Sequence, residues 1–403
     1  MGLLDDAELI DNENYNDEFS AMISPTIIKV IGIGGAGCKA VNRMVEQRLN
    51  GVEFMTINTD VQDLQTSRAA NRLAIGKSAT RGLGAGGDPK KGAAAAEESR
   101  EEIKKELSGA NMVFITAGMG GGTGTGAAPV VASIAKELQI LTVAIVTTPF
   151  EHEGAVKDGY AREGIDKLKK EVDSIIVIPN RNLTKVLPPD ISMKEAFLAA
   201  DSILRDGILG MSKIISVPGD INIDFADVRA ILKNSGQAYI GLGEGKGETR
   251  VVDAINKAIN NQILDNGDIT GARGVIINVE ADEDFPMKDF QEICDEISRS
   301  VDSKAIVKHG LIYNREKTDT VKIKLLAAGF NQADEEETEA EEKSQDDFGP
   351  LSSFGKNEGG TFSAKDWTQL DRTFLNGSVS KPDLKEYSSF DADIDFPPIL
   401  KHR

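Results

Sequence analysis

Cysteine, histidine and long apolar runs are scarce in this chain of 403 residues. Its two cysteines, Cys38 and Cys294, cannot build a disulfide framework, which fits a reducing compartment. The three histidines, His152, His309 and His402, show no spacing typical of zinc, so we expect no protein-bound metal site. The sequence shows no signal peptide and no run of about 18 apolar residues, so we expect a cytoplasmic protein without membrane insertion.

Positive charge is also in deficit. The chain holds 46 Lys and Arg against 65 Asp and Glu, which gives a net charge of −19. Acidic residues are dense after residue 330, where nine carboxylates and one lysine lie between Asp334 and Asp347. Binding to a nucleic acid backbone needs a cationic face that releases counterions. The composition therefore argues against a nucleic acid partner.

Apolar runs alternate with helical periods in the middle of the chain. Strands of a parallel sheet read as continuous apolar runs, because helices cover both faces of such a sheet. The pattern predicts an α/β fold with a parallel sheet, its strands at 27–33, 52–57, 112–117, 140–147 and 174–179. A second domain is predicted to follow, with helices near 225–234 and 287–301 and strands at 273–280, 304–313 and 320–329.

Changes in composition divide the chain into six segments. Apolar residues three or four apart predict a long helix after residue 191, which Pro218-Gly219 ends. Polar stretches without periodicity predict disorder at both ends of the chain. The predicted segments are a disordered arm at 1–25, a nucleotide-binding domain at 26–190, a central helix at 191–218, a second domain at 219–330, a disordered acidic linker at 331–390 and a partner-docking peptide at 391–403.

The most informative stretch is GMGGGTGTG, from Gly118 to Gly126, between an apolar run and a helical segment. With almost no side chains in the way, successive amides can form a concave nest, and the next helix N-terminus adds partial positive charge. The natural occupant is a di- or triphosphate. This is not the common G-x-x-x-x-G-K-[ST] loop, because no lysine follows Gly126.

A second glycine motif lies earlier in the chain. Gly32 to Gly37 matches G-x-G-x-x-G between a strand and a helix, and Asp60 stands where a dinucleotide fingerprint has an acidic residue. Taken alone, this motif suggests an NAD-dependent oxidoreductase. A dinucleotide needs one such turn, however, whereas two glycine loops on neighbouring strands predict a triphosphate gripped from two sides. The scattered histidines also offer no convincing acid or base for hydride chemistry.

The stretch GGGTGTG is the signature of the tubulin superfamily of GTPases, and its flanks resemble the bacterial FtsZ family over nearly the whole chain. The resemblance implies a tubulin-like fold, with a Rossmann-type parallel-sheet GTPase domain joined by the long central helix to a smaller α/β domain. It also implies a cell-division protein of the bacterial cytoplasm. Such a protein binds GTP and GDP with Mg²⁺ and polymerises head-to-tail into the filaments of the division ring.

The resemblance assigns nucleotide contacts by position. It places phosphates against the two glycine loops, the ribose and γ-phosphate beside two further loops, and the nucleoside against later residues. The assigned positions are Gly34, Gly35, Ala36, Gly37, Cys38, Lys39, Asn58, Asp60, Ala85, Gly86, Gly87, Gly120, Gly121, Gly122, Thr123, Gly124, Thr125, Gly126, Glu153, Lys157, Asn180, Phe197 and Asp201.

Five of these positions carry alternatives or departures. Asp201 can accept from guanine's N1–H and exocyclic amine, but a solvated helix face explains an acidic residue there as well. Phe197 stands where the family contacts the base, although its helical spacing fits an ordinary core residue. Cys38-Lys39 replaces a small residue and asparagine, and Lys157 replaces an arginine. A lysine still neutralises phosphate charge, but it lacks arginine's planar fork.

The segment from Gly219 to Arg229 places Asp224 and Asp227 three residues apart at a predicted helix start. Spacing alone cannot separate catalysis from helix capping, since Asp224 suits an N-cap and Asp227 a first turn. The resemblance implies catalysis: this segment inserts into the nucleotide pocket of the next subunit, where both carboxylates orient the attacking water and Asn222 assists. Hydrolysis would then occur only on assembly.

The last residues interrupt the polar tail with an apolar islet. Five of them are expected to dock on membrane-tethering division proteins, which would recruit the filament to midcell at the inner face of the membrane. They are Ile394, Phe396, Pro397, Ile399 and Leu400. Alternative functions are a tubulin-like filament for plasmid or phage segregation, a non-hydrolysing binding module, and the NAD-dependent oxidoreductase.

Overall fold

The computed structural model describes residues 26–47, 51–188, 190–216, 219–260, 263–264, 269–314 and 317–330. The arm predicted at 1–25, the linker at 331–390 and the docking peptide at 391–403 lie outside the described residues. Every residue predicted to bind nucleotide or to act in catalysis lies within them.

Strands in the described part of the chain form one sheet of ten. They are β1 Ile28–Ile33, β2 Val52–Asn58, β3 Asn71–Ala74, β4 Met112–Gly118, β5 Leu141–Thr148, β6 Ser174–Pro179, β7 Gly236–Lys246, β8 Gly274–Asp282, β9 Ile306–Asn314 and β10 Thr320–Ala328. The predicted strands are confirmed to within two residues at each end. The sequence patterns did not predict β3 and β7.

Helices cover both faces of this sheet. They are α1 Gly34–Met44, α2 Val61–Gln65, α3 Lys77–Thr80, α4 Pro89–Glu98, α5 Arg100–Leu107, α6 Thr123–Glu137, α7 Ala155–Lys169, α8 Asn180–Val186, α9 Met193–Ser216, α10 Phe225–Leu232, α11 Arg250–Ile259 and α12 Met287–Arg299. The long central helix predicted from residue 191 is confirmed as α9. The helices predicted near 225–234 and 287–301 are confirmed as α10 and α12.

The strand order is β3-β2-β1-β4-β5-β6-β7-β10-β8-β9. The strands from β3 to β7 run parallel, and β10 is antiparallel to both of its neighbours. The chain adds β2 and β3 on one side of β1, then crosses to add β4, β5 and β6 on the other. This reversal creates a topological switch point between β1 and β4, where ligands bind at the carboxyl ends of the strands.

The strand β7 joins the first part of the sheet to the second, but its sequence does not resemble that of a strand. Gly241, Gly243 and Gly245 alternate along β7, although glycine is depleted in strands. A Cβ built on any of the three would lie 1.9 Å from a carbonyl oxygen of α11. The glycines therefore let the backbone of α11 pack directly against the strand, a contact between distant segments that no local pattern reports.

The core extends over both faces of the sheet. On one face, Val30 and Phe114 pack with Ile208 of the central helix, and this cluster continues to Ile276 and Leu325 of the second domain. On the other face, a second cluster joins the strands to α4, α6 and α7. This packing fixes the carboxyl ends of β1 and β4 against the helices that follow them. None of the helices described here is long and apolar enough to cross a membrane.

Candidate functional site

The two glycine motifs lie side by side at the carboxyl edge of the sheet. The first connects β1 to α1, the second connects β4 to α6, and β1 and β4 are neighbouring parallel strands. Gly34 has a φ of +70°, and a Cβ built on it would lie 2.8 Å from the amide nitrogen of Gly124. Only glycine fits this close approach, so the two loops form one continuous backbone surface.

The helices that follow these loops have no capping side chain. α1 begins at Gly34 and α6 at Thr123, and no side chain accepts a hydrogen bond at either N-cap. Asp60 caps α2, Asp88 caps α4 and Asp224 caps α10, while α3, α5, α7, α8, α11 and α12 also lack a capping side chain. The first amides of α1 and α6 and the positive ends of both helix dipoles are thus available at one place, which suits a polyphosphate.

Exposure separates the outer members of the two loops from the inner ones. Exposed at the surface are Gly35, Ala36, Lys39 and Gly121, while Thr123 is half-buried. Buried are Gly34, Gly37, Cys38, Gly120, Gly122, Gly124, Thr125 and Gly126. Burial raises the pKa of the Cys38 thiol to about 12, so the side chain is neutral and belongs to the core. A ligand would meet only its backbone.

Two further predicted loops close against the glycine loops. The hydroxyl of Thr59, after β2, lies 2.6 Å from the hydroxyl of Thr123. A Cβ built on Gly122 would lie 2.8 Å from the Cβ of Ala85. The next pair, Gly86-Gly87, is exposed and has open space beside it. The structure therefore brings all four loops to one edge of the sheet.

Asn58 and Asp60 are engaged within the turn that follows β2. The Asn58 amide donates to Asp63 at 2.7 Å, and its oxygen accepts from the backbone N–H of Thr59 at 2.9 Å. One oxygen of Asp60 accepts from the amides of Gln62 and Asp63. Both side chains hold the shape of the loop.

The segment after β5 reaches the second glycine loop through its backbone. A Cβ on Gly120 would lie 2.7 Å from Pro149 and 2.9 Å from the carbonyl oxygen of Lys157. One oxygen of Glu153 accepts from the amide of Phe150 at 3.0 Å, and the other from the Lys157 ammonium at 2.9 Å. Glu153 and Lys157 thus lie together beside the second glycine loop, as an ion pair.

Asp201, on α9, lies across from α1. Its carboxylate pairs with the guanidinium of Arg43 at 3.0 Å, and its side chain is only 13% exposed. Burial raises the pKa of Asp201, against the opposing charges of Arg43 and Lys39. The solvated-face interpretation of Asp201 is therefore wrong, because the carboxylate is desolvated and held by a cation.

Phe197 lies one turn before Asp201 on the same helix. Its side chain is 44% exposed, and its ring meets the ring of Phe150 edge to face at 5.2 Å between centroids. The interpretation as an ordinary core residue is wrong. The apolar spacing of α9 that suggested burial extends to its first turns, and there the side chain of Phe197 lies outside the core. Phe197 instead forms an exposed apolar surface beside the loop after β5.

Asn180 begins α8 at the carboxyl end of β6. The residue is 7% exposed, and among the described residues no hydrogen-bond donor reaches its buried side-chain oxygen. A buried acceptor without a donor is costly, so its partner is expected to come from a bound molecule or water.

The predicted catalytic segment packs against another part of the sheet. Asp224 accepts from the amide of Asp227 at 2.7 Å and caps α10, and the side chain of Asn222 accepts from the amide of Gly219 at 2.6 Å. Asp227 forms an ion pair of 2.7 Å with Lys308 of β9. Asp224 and Asn222 are exposed, and Asp227 is half-buried.

The structure does not bring this segment to the glycine loops. Ile221 forms a bridge with Leu311 on β9, the outermost strand of the described sheet. Six inter-strand steps separate β9 from β4, which amounts to roughly 29 Å along the sheet. Within one chain, the carboxylates and the glycine loops therefore lie at separate places.

Two charged residues at these places were not predicted from the sequence. Arg43 lies one helical turn after Lys39, a spacing that places both on one face of α1 and is the one local signal available. Lys308 gives no local signal, because its partner Asp227 is 81 positions away in the chain. Among the described residues, no three His, Cys, Asp or Glu side chains gather into a metal site.

Comparisons with known proteins identify relatives along most of the chain. Residues 27–188 match the family model "Tubulin/FtsZ family, GTPase domain", and residues 236–331 match "FtsZ family, C-terminal domain". A structure titled as an empty FtsZ dimer from M. jannaschii is 40% identical, with a TM-score of 0.73 over 81% of this chain and 94% of that one.

Two further structures give similar coverage. A mutant form of M. jannaschii FtsZ is 40% identical, with a TM-score of 0.72 over 79% of this chain and 95% of that one. CetZ2 from Haloferax volcanii, titled as a GTPγS-bound protofilament, is 22% identical, with a TM-score of 0.64 over 80% and 99%. At this lower identity the likeness concerns the fold alone.

Proposed function

The chain belongs to the Tubulin/FtsZ family, and from this premise we propose that it hydrolyses GTP at a site which a second copy of the chain completes. The family's GTPase domain supports GTP binding and hydrolysis in general. The observation that carries the proposal is the meeting of two uncapped helix N-termini at the β1–β4 switch point, with the carboxylates of Asp224 and Asp227 at a distant edge.

The phosphates of GTP would lie against the backbone amides of the two glycine loops. The first turns of α1 and α6 supply N–H donors and partial positive charge, and Lys39 and Lys157 add full charges nearby. Since Lys157 pairs with Glu153 in the free chain, ribose hydroxyls that donate to Glu153 would release Lys157 toward the phosphates.

The guanine base would contact Asn180, Phe197 and Asp201. The Asp201 carboxylate, held by Arg43, accepts from the N1–H and exocyclic amine of guanine, and adenine cannot present that pair of donors. The buried oxygen of Asn180 provides a further acceptor, and the exposed ring of Phe197 provides an apolar surface.

Hydrolysis would use carboxylates from the next copy. In the reaction, a water oxygen bonds to the γ-phosphorus while the bond from that phosphorus to the bridging oxygen breaks, which yields GDP and phosphate. Asp224 and Asp227 would orient this water, with Asn222 beside them. Mg²⁺ would spread the phosphate charge.

A site divided in this way produces a head-to-tail contact. The face that carries the nucleotide meets the face that carries the carboxylates, and such a heterologous contact extends into open filaments. The relative from M. jannaschii, an FtsZ dimer that is 40% identical to this chain, supports self-association. Loss of the γ-phosphate would weaken the contact and let the filament turn over.

The cellular role we propose is in cell division. The 40% identity to FtsZ, against 22% to CetZ2, supports this role over other filament functions. Filaments of the division ring would be recruited to midcell through residues 391–403, which would bind membrane-tethering division proteins. The NAD-dependent alternative is not favoured, because the family assignment accounts for both glycine loops.

The proposal is tested by phosphate release from GTP with Mg²⁺ over a range of protein concentrations. Turnover per subunit should rise from near zero above a threshold concentration, and the Asp227→Ala variant should bind GTP without turnover. Activity per subunit that stays constant with dilution would contradict a site shared between copies. Mixing Asp227→Ala with a variant defective in GTP binding should restore part of the activity, because each supplies the half that the other lacks.

A further inference from the structure

We propose that Lys308 is a positioning residue for GTP hydrolysis, which holds Asp227 in place through their ion pair at the face offered to the next copy. The proposal rests on the proposed function and adds a residue to its catalytic half. The ammonium of Lys308 lies 2.7 Å from one carboxylate oxygen of Asp227. No other side-chain donor in the described part of the chain contacts that carboxylate.

The strand β9 contacts the catalytic segment at several points. Leu311 forms a backbone bridge with Ile221, and a Cβ built on Gly310 would lie 2.8 Å from the side chain of Ile223. Lys308 stands two residues before Gly310, so both project from the same face of β9. The strand thus holds the segment by three contacts: the backbone bridge at Leu311, the close packing at Gly310 and the ion pair of Lys308.

Charge explains why a cation is placed here. Asp224 and Asp227 repel each other, and both would approach the phosphates of the next copy. The hydrogen bond and charge of Asp227, with a smaller contribution from Asp224, raise the pKa of Lys308, so it stays protonated throughout the neutral range. Lys308 offsets the repulsion, while the other oxygen of Asp227 receives no side-chain donor from the residues that the structure describes.

The exposure of the pair argues against a purely structural role. Lys308 is 41% exposed and Asp227 26% exposed, and ion pairs this accessible contribute little to folding stability. A second strand lysine in the same domain, Lys324, pairs with Glu280 at 2.9 Å but is only 14% exposed. Lys324 is therefore a matched control, a lysine–carboxylate pair that lies outside the catalytic segment.

The experiment compares Lys308→Met, Lys308→Arg and Lys324→Met in the full chain. GTP turnover per assembled subunit should fall about 10-fold in Lys308→Met, because a misplaced catalytic group loses rate steeply. Lys308→Arg should retain most of the wild-type rate, and Lys324→Met should turn over as the wild type does. GTP affinity of the free subunit should be unchanged in all three, since the glycine loops lie at the other edge.

A double variant separates positioning from an independent effect. If Lys308 acts through Asp227, then Lys308→Met combined with Asp227→Asn should be no slower than Asp227→Asn alone. A further loss in the double variant would overturn the proposal, as would wild-type turnover in Lys308→Met. So would a folded Lys308→Met that fails to sediment as polymer, since Lys308 would then be an assembly contact. Wild-type protein without a concentration threshold would instead refute the proposed function.

Discussion

At the β1–β4 edge of the sheet, α1 and α6 begin without a capping side chain, whereas at the β9 edge α10 begins with Asp224 bonded to the amide of Asp227. At the first place, the N–H groups that begin α1 and α6 donate to no carboxylate cap and remain available as donors. At the second place, Asp224 accepts the hydrogen bond of an amide at the start of α10, and the acidic side chains are accessible to solvent. One edge is built to receive an anion, and the other would repel one.

Because of this difference, neither place is expected to be sufficient for GTP hydrolysis by itself. Backbone amides and helix dipoles bind the ground-state phosphates, but they offer no group that orients a water. The carboxylates can orient a water, but they carry the wrong charge to retain a triphosphate. Placing them at separate parts of the sheet would let tight binding and slow intrinsic hydrolysis coexist until two copies meet.

The sharpest test of the comparison is Asp224→Ser. Serine caps a helix about as well as aspartate, so the free energy of unfolding should stay within about 0.5 kcal/mol of the wild type. Turnover should fall about 100-fold, because serine supplies no carboxylate for the water. Chemical denaturation and phosphate release from GTP measure the two effects on the same preparation.

Asp224→Ala is the matched control for that variant. It removes both the cap and the carboxylate, so it should lose turnover as Asp224→Ser does and also lose about 1 kcal/mol of stability. If Asp224→Ser keeps wild-type turnover, Asp224 is only a helix cap, and the β9 edge loses one of its two proposed catalytic groups.

The glycine edge is tested by two alanine variants of one loop. A Cβ on Gly126 would lie 2.0 Å from the carbonyl oxygen of Pro89, whereas a Cβ on Gly121 has no atom within 4 Å. Gly126→Ala should therefore lose about 2–3 kcal/mol of stability through overpacking. Gly121→Ala should keep the wild-type melting temperature but bind GTP more weakly, because its methyl group projects from the exposed loop. Unchanged GTP affinity would mean that the phosphates do not approach Gly121.

Local patterns predicted the half of the site that is made of backbone. The two glycine motifs each follow an apolar run, so strand, loop and helix could be placed from contiguous residues. The charged contacts join residues far apart in the chain: Arg43 meets Asp201, and Lys308 meets Asp227. No spacing rule reaches over such separations. Strand β7 was missed for the same reason. Its glycines are required by close packing against α11, which lies elsewhere in the sequence, and not by the residues next to them in the strand.

The base-recognition contact is tested by Asp201→Ala. Removing the acceptor for guanine's N1–H and exocyclic amine should weaken GTP binding about 10-fold. The affinity for ATP should not change, because adenine does not present these donors, so the preference for GTP over ATP should become smaller. Competition binding with both nucleotides measures the two affinities. Equal weakening toward GTP and ATP would show that Asp201 only holds Arg43 and α1 in place.

The smallest expected effect concerns an ion pair of the second domain that takes no part in the proposed reaction. Burial disfavours ionisation of Glu280, but the charge and hydrogen bond of Lys324, together with the charges of Lys322 and Lys213, outweigh burial and hold the pKa of Glu280 below its ordinary value. A carboxyl with a lowered pKa adds stability above its unfolded pKa, and this stability is lost as the pH falls through the folded pKa. Glu280→Gln should therefore cost about 1 kcal/mol at pH 7.

The pH dependence of this difference identifies its cause. Toward acid, once the pH falls below the lowered folded pKa of Glu280, the wild-type carboxyl is also protonated. Both chains then leave Lys324 without an anion, and their unfolding free energies should converge. Denaturant titrations at a series of pH values follow the convergence. A constant gap would assign the loss to packing of the side chain. A gap that closes, with GTP turnover at pH 7 unchanged, would show that this pair stabilises the fold, in contrast to the exposed pair of Lys308 and Asp227.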